Sequence, residues 1–190
     1  MTLLIVGIAL WYVTHLLPMW APGRRAAMAA KLGEGPYKGL YALTTIGAVV
    51  LMVIGYQNAE WVDVWTPPTF LIHVNNLLML LAVFTFIAGS FASPVRRVIR
   101  HPQLIAVKTW ALAHLLVNGD LASIVLFGAL LVWAVMAMIG TNKRDGKRAE
   151  HPPANAHGLI IHIAAGLAVF GVITYIHGWM LGVWTFPISP

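Results

Sequence analysis

The segment RHPQLIAVKTWALAHLLVNGDLAS, Arg100–Ser123, carries four structural signals in one short stretch. It opens with a basic residue beside the pair His101-Pro102, which is typical of a helix start. An apolar run follows with a histidine, His114, well inside it, and the pair Asn118-Gly119 then marks a turn. Asp120 comes directly before a second apolar run and is predicted to be its N-cap. The segment therefore predicts two apolar helices joined by a tight turn.

The composition of the whole chain is that of a membrane protein. Of its 190 residues, 59% are hydrophobic and 9% are charged, and the mean hydropathy is +0.80. A soluble domain is usually about 45–50% apolar and about 25% charged. Several apolar runs reach about 18 residues, the length that crosses a bilayer as a helix. The chain is therefore predicted to cross the membrane several times and to contain no large soluble domain.

The charge and the missing cysteines exclude several classes of function. A net charge of +6 would indicate nucleic-acid binding in a soluble protein. Here the basic residues lie in short connections between apolar runs, so membrane topology explains them better and no nucleic-acid partner is expected. The chain has no cysteine, which excludes disulfides, thiolate haem ligands, iron–sulfur clusters and cysteine zinc sites.

Hydropathy predicts an all-α integral membrane protein in which residues 1–190 form a single six-helix domain. The twelve lysines and arginines all lie in or beside the connections after spans one, three and five. The positive-inside rule places those connections in the cytoplasm and both termini on the outer, periplasmic face. The predicted spans are about residues 3–19, 37–56, 69–92, 102–117, 121–139 and 157–184.

Shorter patterns add local predictions. The basic, alanine-rich residues Arg24–Leu32 suit a helix lying along the membrane interface. Gly47 and Gly55 in the second span suit close approach of another helix. Gly140 is predicted to lie just past the end of the fifth span.

The chemistry of the chain is expected to lie in its eight histidines. Ionisable residues inside membrane spans are costly and usually face a bundle interior. Imidazole is the usual axial ligand of b-type haem, and helix bundles build such sites from facing helices. Depth along the predicted spans pairs His15 with His162 and leaves His114 nearer to His73 or His177. One haem and two haems both remain open on this reasoning.

The surroundings of His114 support a bound cofactor. Helical spacing places Trp110, Ala111 and Asn118 on the same face as His114. Ala111 leaves room for a flat ligand that the Trp110 ring walls on one side. Arg100 and His101 lie beside the start of this helix, where positive charge suits a haem propionate or a lipid phosphate.

The motifs RHPQ, WALAH and NGDLAS, all within Arg100–Ser123, resemble the NnrU family of bacterial membrane proteins. The resemblance extends more weakly to HLLP at His15–Pro18 and to the related 15-cis-zeta-carotene isomerase. It implies haem b with two axial histidines, His114 and His15. It also implies a place in the bacterial inner membrane and a part in nitrite and nitric oxide handling during denitrification. The isomerase has a cysteine ligand where this chain has Ala111.

Three functions follow as expectations. The first is a haem-b membrane protein that supports nitrogen-oxide metabolism as a redox or NO-responsive component, together with a membrane redox partner. The second is a haem-dependent cis–trans isomerase of a polyene such as zeta-carotene, which the missing cysteine disfavours. The third is a structural or transport bundle in which the histidines only make hydrogen bonds.

Overall fold

The computed structural model describes residues 1–90, 94–147 and 155–181, and this part of the chain contains helices and no strand. The predicted all-α fold is confirmed. A 3-10 turn, Ala88–Ser90, extends the fourth helix. In chain order the α-helices are α1 Thr2–Trp20, α2 Pro22–Leu32, α3 Glu34–Gln57, α4 Leu71–Ile87, α5 Pro94–Val98, α6 Pro102–Leu115, α7 Leu121–Asp145 and α8 Ala156–Leu181.

Five of these helices are long and apolar enough to cross a membrane: α1, α3, α4 with its 3-10 turn, α7 and α8. The chain is thus a multi-pass membrane protein. The sixth predicted span corresponds to α6, which has 14 residues and a length of about 21 Å. The hydrocarbon core is about 30 Å thick, so six crossings and outer termini stay predictions. Residues 91–92 and 182–184 of the predicted spans lie outside the described residues.

The helix ends confirm two local predictions and overturn a third. The Asp120 carboxylate accepts a hydrogen bond from the Ser123 amide at 2.8 Å, so Asp120 is the N-cap of α7. The predicted basic helix is α2. Gly140, however, does not end α7, which continues to Asp145. A Cβ on Gly140 would lie 2.9 Å from the indole nitrogen of Trp20 in α1, so this glycine allows α1 to pack closely against α7.

The described chain groups into two compact units, and the first comprises residues 1–66 and 118–147, with α1, α2, α3 and α7. Its closest packing joins α1 to α3. A Cβ on Gly55 would collide with the backbone of Leu3 and Leu4, and a Cβ on Gly7 would lie 2.7 Å from the Met52 nitrogen. Gly47, also predicted to serve close approach, has open space around it instead.

Two backbone hydrogen bonds join the connection after α3 to the start of α7 within the first unit. The Val64 amide donates to the Gly119 carbonyl at 2.9 Å, and the Leu121 amide donates to the Val62 carbonyl at 2.9 Å. We call residues 62–64 and 119–121 the junction. The Asn118-Gly119 turn predicted from sequence is therefore held by backbone hydrogen bonds to residues 62–64.

The second unit comprises the described residues among 67–117 and residues 155–181, with α4, α5, α6 and α8. Helix α4 packs against both α6 and α8. A Cβ on Gly89 would meet the side chain of Gln103 on α6, and a Cβ on Gly166 of α8 would lie 2.8 Å from the Phe84 ring. These glycines let α6 and α8 approach α4 closely.

Candidate metal-ligating histidines

His114 lies near the end of α6 in the second unit, half-buried. Its Nδ1 is 2.9 Å from the carbonyl oxygen of Trp110, one turn earlier. Because a carbonyl oxygen only accepts, Nδ1 must carry the hydrogen and Nε2 must hold the lone pair. The Trp110 ring lies at 5.1 Å from the imidazole, tilted by 52°. Ala111 is fully buried, so its small side chain lies on the packed face of α6.

His15 lies on α1 in the first unit and has the same local geometry. Its Nδ1 is 3.0 Å from the Trp11 carbonyl oxygen, so the hydrogen again lies on Nδ1 and the lone pair on Nε2. Among the described residues, Nε2 of His15 has no hydrogen-bond partner. The Trp11 ring stacks on the imidazole with a centroid distance of 3.8 Å and an interplanar angle of 25°.

The two histidines therefore share a pattern, a tryptophan four residues before a histidine. It reads WYVTH at Trp11–His15 and WALAH at Trp110–His114. Sequence reasoning singled out Trp110 and missed Trp11, although the repeated spacing carries the signal. In both cases the tryptophan carbonyl fixes which imidazole nitrogen is able to bind a metal.

Further aromatic rings surround His15 within the first unit. Tyr41 of α3 and Trp133 of α7 each lie at 5.5 Å from the imidazole, nearly perpendicular to it, and Trp11 meets Trp133 edge-on at 5.2 Å. The indole nitrogens of Trp11 and Trp133 are buried without a hydrogen-bond acceptor. An unsatisfied buried donor costs about 1–3 kcal/mol. No sequence signal beyond residue type identifies Trp133.

The other candidate ligands differ from this pair. His162 is 2% exposed and its Nε2 donates to the Phe84 carbonyl at 2.8 Å, a bond that joins α8 to α4. Because this Nε2 carries the hydrogen of that bond, it has no lone pair with which to bind a metal. His73 is exposed in the first turn of α4, and His177 is half-buried on α8 within electrostatic range of His114. Among the described residues, no group of three or more His, Cys, Asp or Glu side chains could hold a metal ion.

The remaining predicted site residues divide between the two units. Trp110 and Ala111 lie with His114 on α6, and Arg100 and His101 lie half-buried immediately before that helix. Asn118 belongs to the first unit instead. Helix α6 ends at Leu115, so the helical spacing that put Asn118 on the face of His114 does not hold.

The fold and these residues define a class of protein. It is an all-helical, multi-pass membrane protein with one Trp–His turn on each of two helices. The chain matches the family model described as NnrU protein over residues 3–185, and it belongs to that family. No curated protein and no solved structure matches the chain.

Proposed function

We propose that the protein binds haem b through His114 and His15. We further propose that it supports nitrogen-oxide metabolism in the bacterial inner membrane, as a redox or NO-responsive component. The observation that carries the proposal is the shared geometry of the two histidines. Each imidazole donates from Nδ1 to a tryptophan carbonyl, at 2.9 Å for His114 and 3.0 Å for His15.

This geometry is what an imidazole ligand of a metal requires. A ligating histidine usually donates its second ring N–H to a carbonyl or carboxylate, which fixes the tautomer and the ring orientation. Both histidines meet that requirement within their own helices, so no loop has to order before the ligand is correctly presented. Each of the two histidines, taken by itself, therefore meets the geometric requirement of a haem ligand.

The alternative pairing from predicted depth is less well supported. It joined His15 to His162, but the Nε2 of His162 is used as a donor to Phe84. Breaking that bond would leave a buried carbonyl and a buried imidazole without their mutual partner, at a cost of about 1–3 kcal/mol. His15 needs no such change, because its only described hydrogen bond is the one from Nδ1.

Haem held by His15 and His114 would supply a one-electron iron couple, which suits electron transfer or ligand response more than oxygen activation. The chain itself would hold and orient the imidazoles through the Trp11 and Trp110 carbonyls. The rings of Trp11, Tyr41 and Trp133 would exclude water around His15. The nitrogen-oxide part of the proposal is supported by membership of the NnrU family.

The polyene isomerase remains the alternative function. The related isomerase uses a cysteine at the position of Ala111. In this chain Ala111 is fully buried on the packed face of α6. Turnover of a cis-carotenoid by the reduced protein would favour the isomerase over the proposed function. A bundle without cofactor is the third candidate, favoured if neither histidine affects spectrum or phenotype.

The test is a pyridine haemochrome titration of the full-length protein, purified in detergent after expression with haem supply. We expect one haem b per chain and loss of most of it in His114→Ala and His15→Ala. His157→Ala, at an exposed position of α8, is the matched control and should retain the haem. Wild-type protein without a Soret band contradicts the proposal.

The nitrogen-oxide part of the proposal has its own test. Anaerobic NO should shift the Soret band, and a deletion strain should grow more slowly on nitrite.

A further inference from the structure

Helix α2 joins two candidate membrane spans of the first unit, α1 and α3. Only Ala21 separates it from the end of α1, and only Gly33, with a φ of +88°, separates it from the start of α3. The close approach at Gly55 packs the end of α3 against the start of α1, so these two helices run antiparallel. Both are long and apolar enough to cross a bilayer. Helix α2 therefore lies where this pair reaches one membrane surface.

One face of α2 is fixed to the start of α3. The Arg25 guanidinium donates two hydrogen bonds to the Glu34 carboxylate, both at 3.1 Å, and lies 5.0 Å from the centroid of the Tyr37 ring. Tyr37 is buried, and so is Ala29, one turn after Arg25. This pairing also engages Glu34, which is the only acidic residue among residues 20–40. The charge of Arg25 is therefore satisfied within the protein.

A second face of α2 is exposed and combines basic with apolar side chains. Its residues are spaced i, i+4, i+7 and i+8, which places them along one side of a helix. We call them the basic face of α2: Arg24, Met28, Lys31 and Leu32, all exposed. Met28 and Leu32 expose 38% and 46% of their surface. Long apolar side chains beside basic ones are typical of a helix that lies in the membrane interface.

The chemistry of the basic face fits a partner that offers both anionic oxygens and apolar chains. Arg24 and Lys31 lie about 10 Å apart along the helix axis. Arginine and lysine bind phosphate oxygens through charge-assisted hydrogen bonds, and their apolar stems let the charged ends reach the head-group layer. Met28 and Leu32 lie beside them and gain from contact with acyl chains. At a membrane surface, the molecule with both properties is an anionic phospholipid.

We propose that the basic face of α2 binds anionic phospholipids. Arg24 and Lys31 bind the phosphate groups, and Met28 and Leu32 insert between the acyl chains. Helix α2 carries neither of the proposed haem ligands, so this binding holds whether or not the protein binds haem. Because a single residue joins α2 to α1, bound lipid also fixes the depth of α1, the helix that carries His15.

The first experiment measures lipid binding to the full-length protein by native mass spectrometry in detergent, with phosphatidylglycerol or phosphatidylcholine added. We expect the anionic phosphatidylglycerol to bind preferentially. In Arg24→Gln/Lys31→Gln its apparent affinity should fall about tenfold or more, since each basic residue near an anionic surface contributes a factor of about five. Lys143→Gln/Lys147→Gln removes the same charge at the end of α7 and is the matched control, which should keep most of the affinity.

A second measurement locates α2 without removing a charge. The chain has no cysteine, so Met28→Cys and Ala30→Cys each accept a single nitroxide spin label. The two positions lie about 160° apart around the helix. In vesicles that contain phosphatidylglycerol, dissolved oxygen should relax the label at position 28, and a water-soluble nickel complex should relax the label at position 30. Equal access of the nickel complex to both labels overturns the proposal, as does an equal loss of affinity in the two glutamine variants.

Discussion

Nδ1 of His114 donates to the carbonyl oxygen of Trp110 at 2.9 Å, within one turn of α6. His15 repeats this relationship with Trp11 at 3.0 Å on a helix of the other compact unit. In a regular helix the carbonyl of residue i accepts from the amide of residue i+4. The tryptophan carbonyl here also accepts from the imidazole, so the helix itself sets the tautomer of each histidine.

His162 is expected to act as a structural residue. His162→Ala removes a buried bond between α8 and α4 and leaves a cavity, so the apparent free energy of unfolding should fall by about 2–4 kcal/mol. Haem content of the protein that stays folded should be unchanged. Thermal unfolding in detergent and the Soret absorbance per chain check the two parts. His157→Ala serves as the exposed control, and loss of haem in His162→Ala would make His162 a ligand instead.

Gly55 is expected to be intolerant of any side chain. A Cβ there would meet the α1 backbone at Leu3 and Leu4, so Gly55→Ala forces α1 and α3 apart and should cost about 1–3 kcal/mol or more. Gly47→Ala is the matched control on the same helix, where nothing lies near the added atom. Helix propensity should make that variant equal to or more stable than the wild type. Equal melting temperatures of the two variants would argue against the close approach.

Asp120 is expected to stabilise the start of α7. Asp120→Ala removes the acceptor of the Ser123 amide and should lower the free energy of unfolding by about 1 kcal/mol. Asp120→Asn keeps an oxygen acceptor at the same place and should retain most of the stability. Comparison of the two unfolding midpoints separates capping from charge. An Asn variant as unstable as the Ala variant would show that the negative charge matters more than the cap.

Reporter fusions test whether the short helix α6 crosses the membrane. The junction holds Val64 beside Gly119, so the chain leaves residue 66 and returns to residue 118 on the same face. An inward crossing and a return crossing to the outer face between these residues fit the six-span prediction. Alkaline phosphatase fused after Ala59 or Gly119 should be active, and fused after Arg100 or Gly146 inactive. Equal activity after Arg100 and Gly119 would rule out a crossing by α6.

Sequence patterns predicted the helical class because apolar run length and charge placement do not depend on tertiary contacts. The Asp120 cap was predictable for the same reason, since its partner Ser123 lies three residues away. The end of α7 was not, because the role of Gly140 depends on Trp20, which lies far away in the chain. Likewise, the Trp11–His15 turn is local and could have been found, whereas the position of Trp133 beside it depends on helix packing.

The ligation state of the ferric iron tests the central claim most directly. Electron paramagnetic resonance and near-infrared magnetic circular dichroism of the purified, full-length protein distinguish bis-histidine haem from other axial ligand sets. We predict a low-spin, bis-histidine signal in the wild type and its loss in both His15→Ala and His114→Ala. A high-spin signal in the wild type, or a bis-histidine signal that survives either substitution, would contradict the assignment of these two histidines.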